Sequence, residues 1–209
     1  MAIANAPFAT FLIIGPTCFF LGVLFAYFPY DYNVIWTSPP SVADSPHADP
    51  REPFYQILET HLKFLHASPP LISRILHIVM GTGIMGFMLK LYKMSESNML
   101  FDGASLVLYM IGVIVYITNI VKGLRIVTEG TYGPADQDYK DADIIGREDS
   151  LKVMAASNTI LAIVLIGVLI LQAGQWYAAK KEAVEIEEIN KQMDEDKKAK
   201  RGKDSKKKQ

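Results

Sequence analysis

Residues 155–177 contain no Asp, Glu, Lys or Arg. At ~1.5 Å per residue a helix of that length exceeds the ~30 Å hydrocarbon core of a bilayer. Trp176 and Tyr177 close the run, and Lys180 and Lys181 follow at once. Aromatic rings favour the headgroup level, so this is a membrane helix leaving the lipid into a charged extension. Every other segment has to be arranged in the same membrane around it.

Three more apolar blocks precede it, at residues 8–28, 70–92 and 103–121, and the connections between them are polar. The formal net charge of -1 hides a segregation: eleven of the 21 Lys and Arg residues lie beyond Tyr177. The expected fold is an all-α membrane protein. Four transmembrane helices (residues 1–177) carry two large lumenal loops and a charged cytosolic tail (residues 178–209). The single cysteine, Cys18, excludes an internal disulfide and reads as a small core residue.

The first block lacks a basic leading segment and a small-x-small cleavage site, so it reads as an uncleaved span. Pro16 can kink it. Gly15 and Gly22 share one face. An aromatic cluster follows, with Tyr27, Phe28, Tyr30, Tyr32 and Trp36 at belt depth. The loop after it is rich in proline over residues 38–53. It then turns amphipathic over residues 54–67, where Phe54, Leu58, Leu62 and Leu65 recur at helical spacing. His61 and His66 lie there five apart, on different faces, which is a poor metal pair.

In the second block Arg74 and His77 sit where they can snorkel, and Lys90 and Lys93 mark the exit before a short turn over residues 93–100. Gly81-Thr82-Gly83-Ile84-Met85-Gly86 has the spacing of a dinucleotide loop. It follows no strand and is embedded in a membrane-length run, so close helix packing explains it better. Ser105, Gly112 and Asn119 recur every seven residues in the third block, as do Gly167 and Gly174 in the fourth. Such spacing suits left-handed helix pairing, with Ser and Asn hydrogen bonds as modest glue. The loop over residues 122–151 is acidic. Its run from Asp136 fails as a calcium loop, because Asp141 takes the glycine position and Arg147 the glutamate position.

The tail begins helical, with Glu187 and Lys191 in the favourable i, i+4 order, and becomes basic and low in complexity after Asp196. Lys206 and Lys207 stand at the fourth and third positions from the end, as in a dilysine retrieval signal of the endoplasmic reticulum. Such a signal is read only in the cytosol, so both termini are placed there. Charge near the membrane does not decide the orientation by itself.

The middle of each block lacks ionisable residues, which speaks against an ion or proton transporter. No phosphate-binding loop and no convergent catalytic set is present. No cofactor, metal site or nucleic-acid partner is expected.

The string Tyr27-Phe28-Pro29-Tyr30-Asp31-Tyr32-Asn33 resembles the signature of the fungal endoplasmic-reticulum packaging chaperones for amino-acid permeases, the super-high-histidine-resistant secretory component family. Thr118-Asn119, Ala155-Ala156-Ser157-Asn158 and Leu171-Gln172-Ala173-Gly174-Gln175-Trp176-Tyr177 agree in order and placement. The proline-rich part of the first loop is longer than the family pattern.

The resemblance implies a non-enzymatic chaperone of the reticulum membrane. It would bind newly inserted amino-acid permeases, keep their helices from aggregating and assist their packaging into COPII vesicles, with the cytosolic tail meeting the coat. On this reading Tyr30, Asp31, Tyr32, Asn33, Ser105, Gly112, Asn119, Asn158, Gly167 and Gly174 are candidate client contacts. For Asn119 and Asn158 internal glue is equally open. The alternatives are a structural tetraspan subunit of a stable complex, or a membrane enzyme using His61, His66 and His77.

Overall fold

The computed structural model describes residues 6–37, 50–92, 96–133 and 145–206. The chain is all-helical: α1 (Ala6–Ile35), α2 (Glu52–His66), α3 (Pro70–Tyr92), α4 (Glu96–Val115), α5 (Lys122–Glu129) and α6 (Arg147–Lys206). A π-helical turn, Tyr116–Val121, joins α4 to α5 without a break in direction. Among the described residues four stretches are long and apolar enough to cross a membrane: Phe8–Ile35, Pro70–Tyr92, Met99–Glu129 and Arg147–Glu195.

The four long helices form a closed ring. α1 packs on α3 and α6, and α4 packs on α3 and α6. The chain runs up and down through this ring, so α1 begins and α6 leaves at the same end. The opposite end is covered by α2, which rests on α5, α1 and α6. Amphipathic spacing explains that position, since Tyr55, Leu58 and Leu62 are buried on one face of α2. They join Val34, Val127, Leu151 and Met154 in an apolar cluster at the α2 end. A second cluster fills the middle of the ring around Ile13, Leu24, Phe87, Tyr109, Leu161, Leu165 and Val168.

The glycines of α3 act by closeness. A Cβ on Gly86 would stand 2.9 Å from the Leu12 Cβ and 3.0 Å from the Leu12 carbonyl carbon. A Cβ on Gly83 would stand 2.7 Å from the Tyr109 ring carbon Cζ. In lipid, helices associate through packing of this kind rather than hydrophobic burial. Gly15 and Gly22 of α1 have open space around them instead. α5 ends at Gly130, whose φ of 65° supplies the left-handed cap that a side chain resists.

The helices run longer than the apolar blocks. α1 continues past Pro29 to Ile35 and takes up the aromatic string. α4 begins at Glu96, where a turn was expected over residues 93–100. The expected loop over residues 122–151 is helical at both ends, through α5 and the start of α6. The acidic residues Asp136, Asp138, Asp141 and Asp143 lie outside the described residues, as does most of the proline-rich stretch. α6 is a single rod of 60 residues. Beyond Ala178 it projects from the bundle for ~40 Å, helical to Lys206 where helix was expected only to Asp196. Lys180 lies over the Trp176 ring, 5.3 Å from its centroid, at the point of departure. Of the dilysine pair, Lys206 ends the helix and Lys207 lies outside the described residues.

Candidate functional site

Two polar sites interrupt the apolar packing, one near each end of the ring. The first lies between α1 and α6. Because α1 continues through Pro29, Asp31 is carried inside the bundle and is only 3% exposed. Asn158 of α6, itself 9% exposed, donates from Nδ2 to Asp31 Oδ2 at 2.9 Å. The second oxygen, Oδ1, is buried and has no hydrogen-bond partner.

Asp31 and Asn158 form the polar end of a lateral groove of about 390 Å³. Its walls are Leu21, Leu24, Phe25 and Phe28 from α1 and Ala162, Ile163 and Ile166 from α6. Phe25 is 79% and Ile163 64% exposed, so the groove opens sideways towards the lipid. Pro29 lies in α1 two residues before Asp31. It has no N–H, and the carbonyl of Phe25 loses its regular helical donor.

The neighbours of Asp31 serve other purposes. Tyr30 stacks on His61 of α2, with ring centroids 3.9 Å apart and planes 7° from parallel. Tyr27 meets the same imidazole edge-on. His61 Nε2 is buried without a partner, and burial pushes the pKa of the imidazole below its ordinary value. Tyr32 is exposed and tilts against Phe28. Asn33 accepts from Thr37 through its backbone carbonyl and its Oδ1.

The second polar site joins α3, α4 and α6. Lys90 Nζ donates to Asp102 Oδ1 at 2.9 Å, Gln172 Oε1 at 2.7 Å and Gln175 Oε1 at 2.6 Å. The amides return the favour. Gln175 Nε2 donates to Asp102 Oδ2, and Gln172 Nε2 donates to Asp102 Oδ1 and Ser105 Oγ. All three ammonium protons and both carboxylate oxygens are satisfied at a nearly solvent-free place, as a buried ion pair requires. Lys90, read from sequence only as marking the exit of the second block, turns its side chain inward to these partners.

The sevenfold spacing of small and polar residues proves to be internal. Ser105 belongs to the Lys90 network. A Cβ on Gly112 would touch Leu161, one on Gly167 Leu108 and one on Gly174 Phe101, so these glycines set the α4–α6 approach. Asn119 sits in the π-helical turn and donates to Ser157 Oγ of α6 at 3.0 Å. These five candidate client contacts take part in the protein's own packing. Of the candidates, Asp31 and Asn158 are the two that line the open groove.

At the α2 end a third set of charges is exposed to a greater degree. Arg147 bridges Glu52 and Glu59, and Tyr55 and Lys152 both meet Glu148. It fastens α2 to the start of α6. The three histidines considered for catalysis are not gathered. His61 is stacked in the α1–α2 contact, His66 is exposed, and His77 of α3 faces Tyr116. Among the described residues no three His, Cys, Asp or Glu side chains stand at metal-binding spacing.

Comparison with known proteins adds a family to this geometry. Residues 4–209 match the SHR3 chaperone family, described as ER membrane protein SH3. The chain is also 21% identical over 195 residues to the secretory component protein psh3 of Schizosaccharomyces pombe, covering 93% of this chain and 81% of that protein. No solved structure matches.

Proposed function

We propose, from the premise that this chain belongs to the SHR3 chaperone family of endoplasmic-reticulum membrane proteins, that its clients are newly made amino-acid permeases. It holds their helices apart from one another until they are folded, and it assists their loading into COPII vesicles. The observation that carries this reading is the open, polar-ended groove between α1 and α6. It is a surface shaped for another apolar body in the same lipid, in a chain of chaperone ancestry. Packing and a few polar contacts are what hold membrane helices together, so such a surface binds with modest strength and releases.

In this arrangement both termini face the cytosol, α2 lies on the lumenal side and the projecting part of α6 is free to meet the coat. The exposed charged side chains of that rod support a contact role for it. The test is cellular. In cells lacking the protein, amino-acid permeases should accumulate in the reticulum while unrelated secretory cargo leaves at its usual rate. Normal delivery of permeases would contradict the proposal.

A further inference from the structure

We infer that the α1–α6 groove receives one transmembrane helix at a time, and that the helix presents a hydroxyl or amide donor to Asp31. The inference rests on the client-binding reading above and names the feature the groove selects.

Two observations carry it. Apart from Asp31, Asn158 and Thr159, whose hydroxyl donates to the Ala155 carbonyl, the groove is lined by apolar side chains, and it extends along α1 from Leu21 to Asp31, about three helical turns. That matches the contact length of a crossing helix. At its α2 end Asp31 Oδ1 is buried and unsatisfied, while Oδ2 is already engaged by Asn158. A buried carboxyl oxygen without a donor is costly in a low-dielectric medium, and a donor brought by a partner removes that cost.

This acceptor also decides the occupant. A lipid acyl chain would fit the apolar walls but offers no proton. A client helix carrying Ser, Thr, Asn or Gln offers both the apolar body and the donor. Polytopic transport proteins carry such residues within their spans, facing inward once folded. The groove would therefore recognise a helix whose polar face is not yet covered by its own neighbours and release it when that face is taken up.

The experiment uses the full chain in liposomes with a photo-crosslinker at Phe25, at Ile163 or at Met88, which is exposed on α3. Two synthetic leucine–alanine transmembrane peptides of about 22 residues are offered. One carries a single asparagine two turns from its end, and its twin carries none. The asparagine peptide should crosslink at Phe25 and Ile163 about fivefold more than its twin, the ratio that one interhelical hydrogen bond gives in lipid. No such excess should appear at Met88. The doubly apolar variant Asp31→Leu with Asn158→Leu should lose the excess.

Equal capture of the two peptides in the groove would overturn the inference. So would a groove that yields lipid or a second copy of this chain whichever peptide is present. If the inference fails while permeases still depend on the protein for exit, the groove assignment is wrong and the chaperone reading stands.

Discussion

Asn158 of α6 donates a 2.9 Å hydrogen bond to Asp31 of α1 across 127 positions of sequence. The pair ties the first long helix to the last near the α2 end, as the Lys90–Asp102 pair ties α3 to α4 and α6 near the other. They differ in completeness. Lys90 uses every donor it has, whereas Asp31 keeps one oxygen without a partner. The complete network is a clamp. The incomplete one leaves a buried acceptor beside the α1–α6 groove.

The asymmetry of buried hydrogen bonds sets the first expectation. Asn158→Leu removes the side-chain donor of Asp31 and leaves the whole carboxyl unpaired. It should cost about 1–3 kcal/mol. Adding Asp31→Leu should return most of that loss, because both partners are then apolar. Thermal unfolding of the protein in detergent micelles reads both variants.

The Lys90 network should respond more strongly. Lys90→Met leaves Asp102 as an uncompensated buried charge, which costs about 3–5 kcal/mol. The quadruple variant with Asp102, Gln172 and Gln175 also replaced by Leu should lie much closer to the parent protein. Unfolding midpoints measured side by side test the order.

Helix proximity gives a third expectation. Gly86→Ala forces the Leu12 backbone away from α3, and overpacking of this sort costs about 1–3 kcal/mol. Gly81→Ala, one and a half turns earlier on the same helix, meets open space and should be within about 0.5 kcal/mol of the parent. Comparing the two separates crowding from any general effect of alanine in this helix.

His61 supplies the pH dependence. Burial between Tyr30 and Tyr27 holds its pKa below the ordinary value. The unfolded chain therefore binds a proton that the folded chain resists once the pH drops below ~6.5. Stability should be level above that point and decline as the pH falls below it, until the folded imidazole also titrates. Glu59 contributes in a separate, more acidic window. Burial, the largest single influence, raises its pKa, but Lys63 and Arg147 together hold it below the ordinary carboxylate value. His61→Phe keeps the ring stack and should flatten the decline between about pH 6.5 and 5.5. Unfolding midpoints across that range provide the check.

The four long apolar helices and the short amphipathic one were legible because their signals are local. Uncharged length marks the first kind, and spacing of Phe54, Leu58, Leu62 and Leu65 marks the second. Two things were hidden. The helix of Asp31 was expected to end at Phe28, since Pro29 and the aromatic string look like an exit. The bundle nevertheless carries the helix six residues past that proline. Lys90 and Asp102 look like interfacial charges, and their partners Gln172 and Gln175 lie more than 69 residues further on. The one clue was the i, i+3 spacing of those glutamines, which puts two amides on one helical face inside an apolar run. The small-residue spacing was legible as a seam, but spacing alone does not say whether the partner belongs to the same chain. Contacts at Leu161, Leu108 and Phe101 answer that for α4 and α6.

The most direct measurement follows the physical state of a newly made permease. Pulse-labelled permease is extracted from membranes lacking this protein and resolved on native gels. The comparison is with membranes supplied with the full chain and with the chain truncated after Ala179. A chaperone acting through its membrane helices predicts aggregated permease without the protein and monodisperse permease with either form, the truncated form failing only in export. Monodisperse permease in membranes that lack the protein, or aggregates that persist when the full chain is supplied, would contradict it.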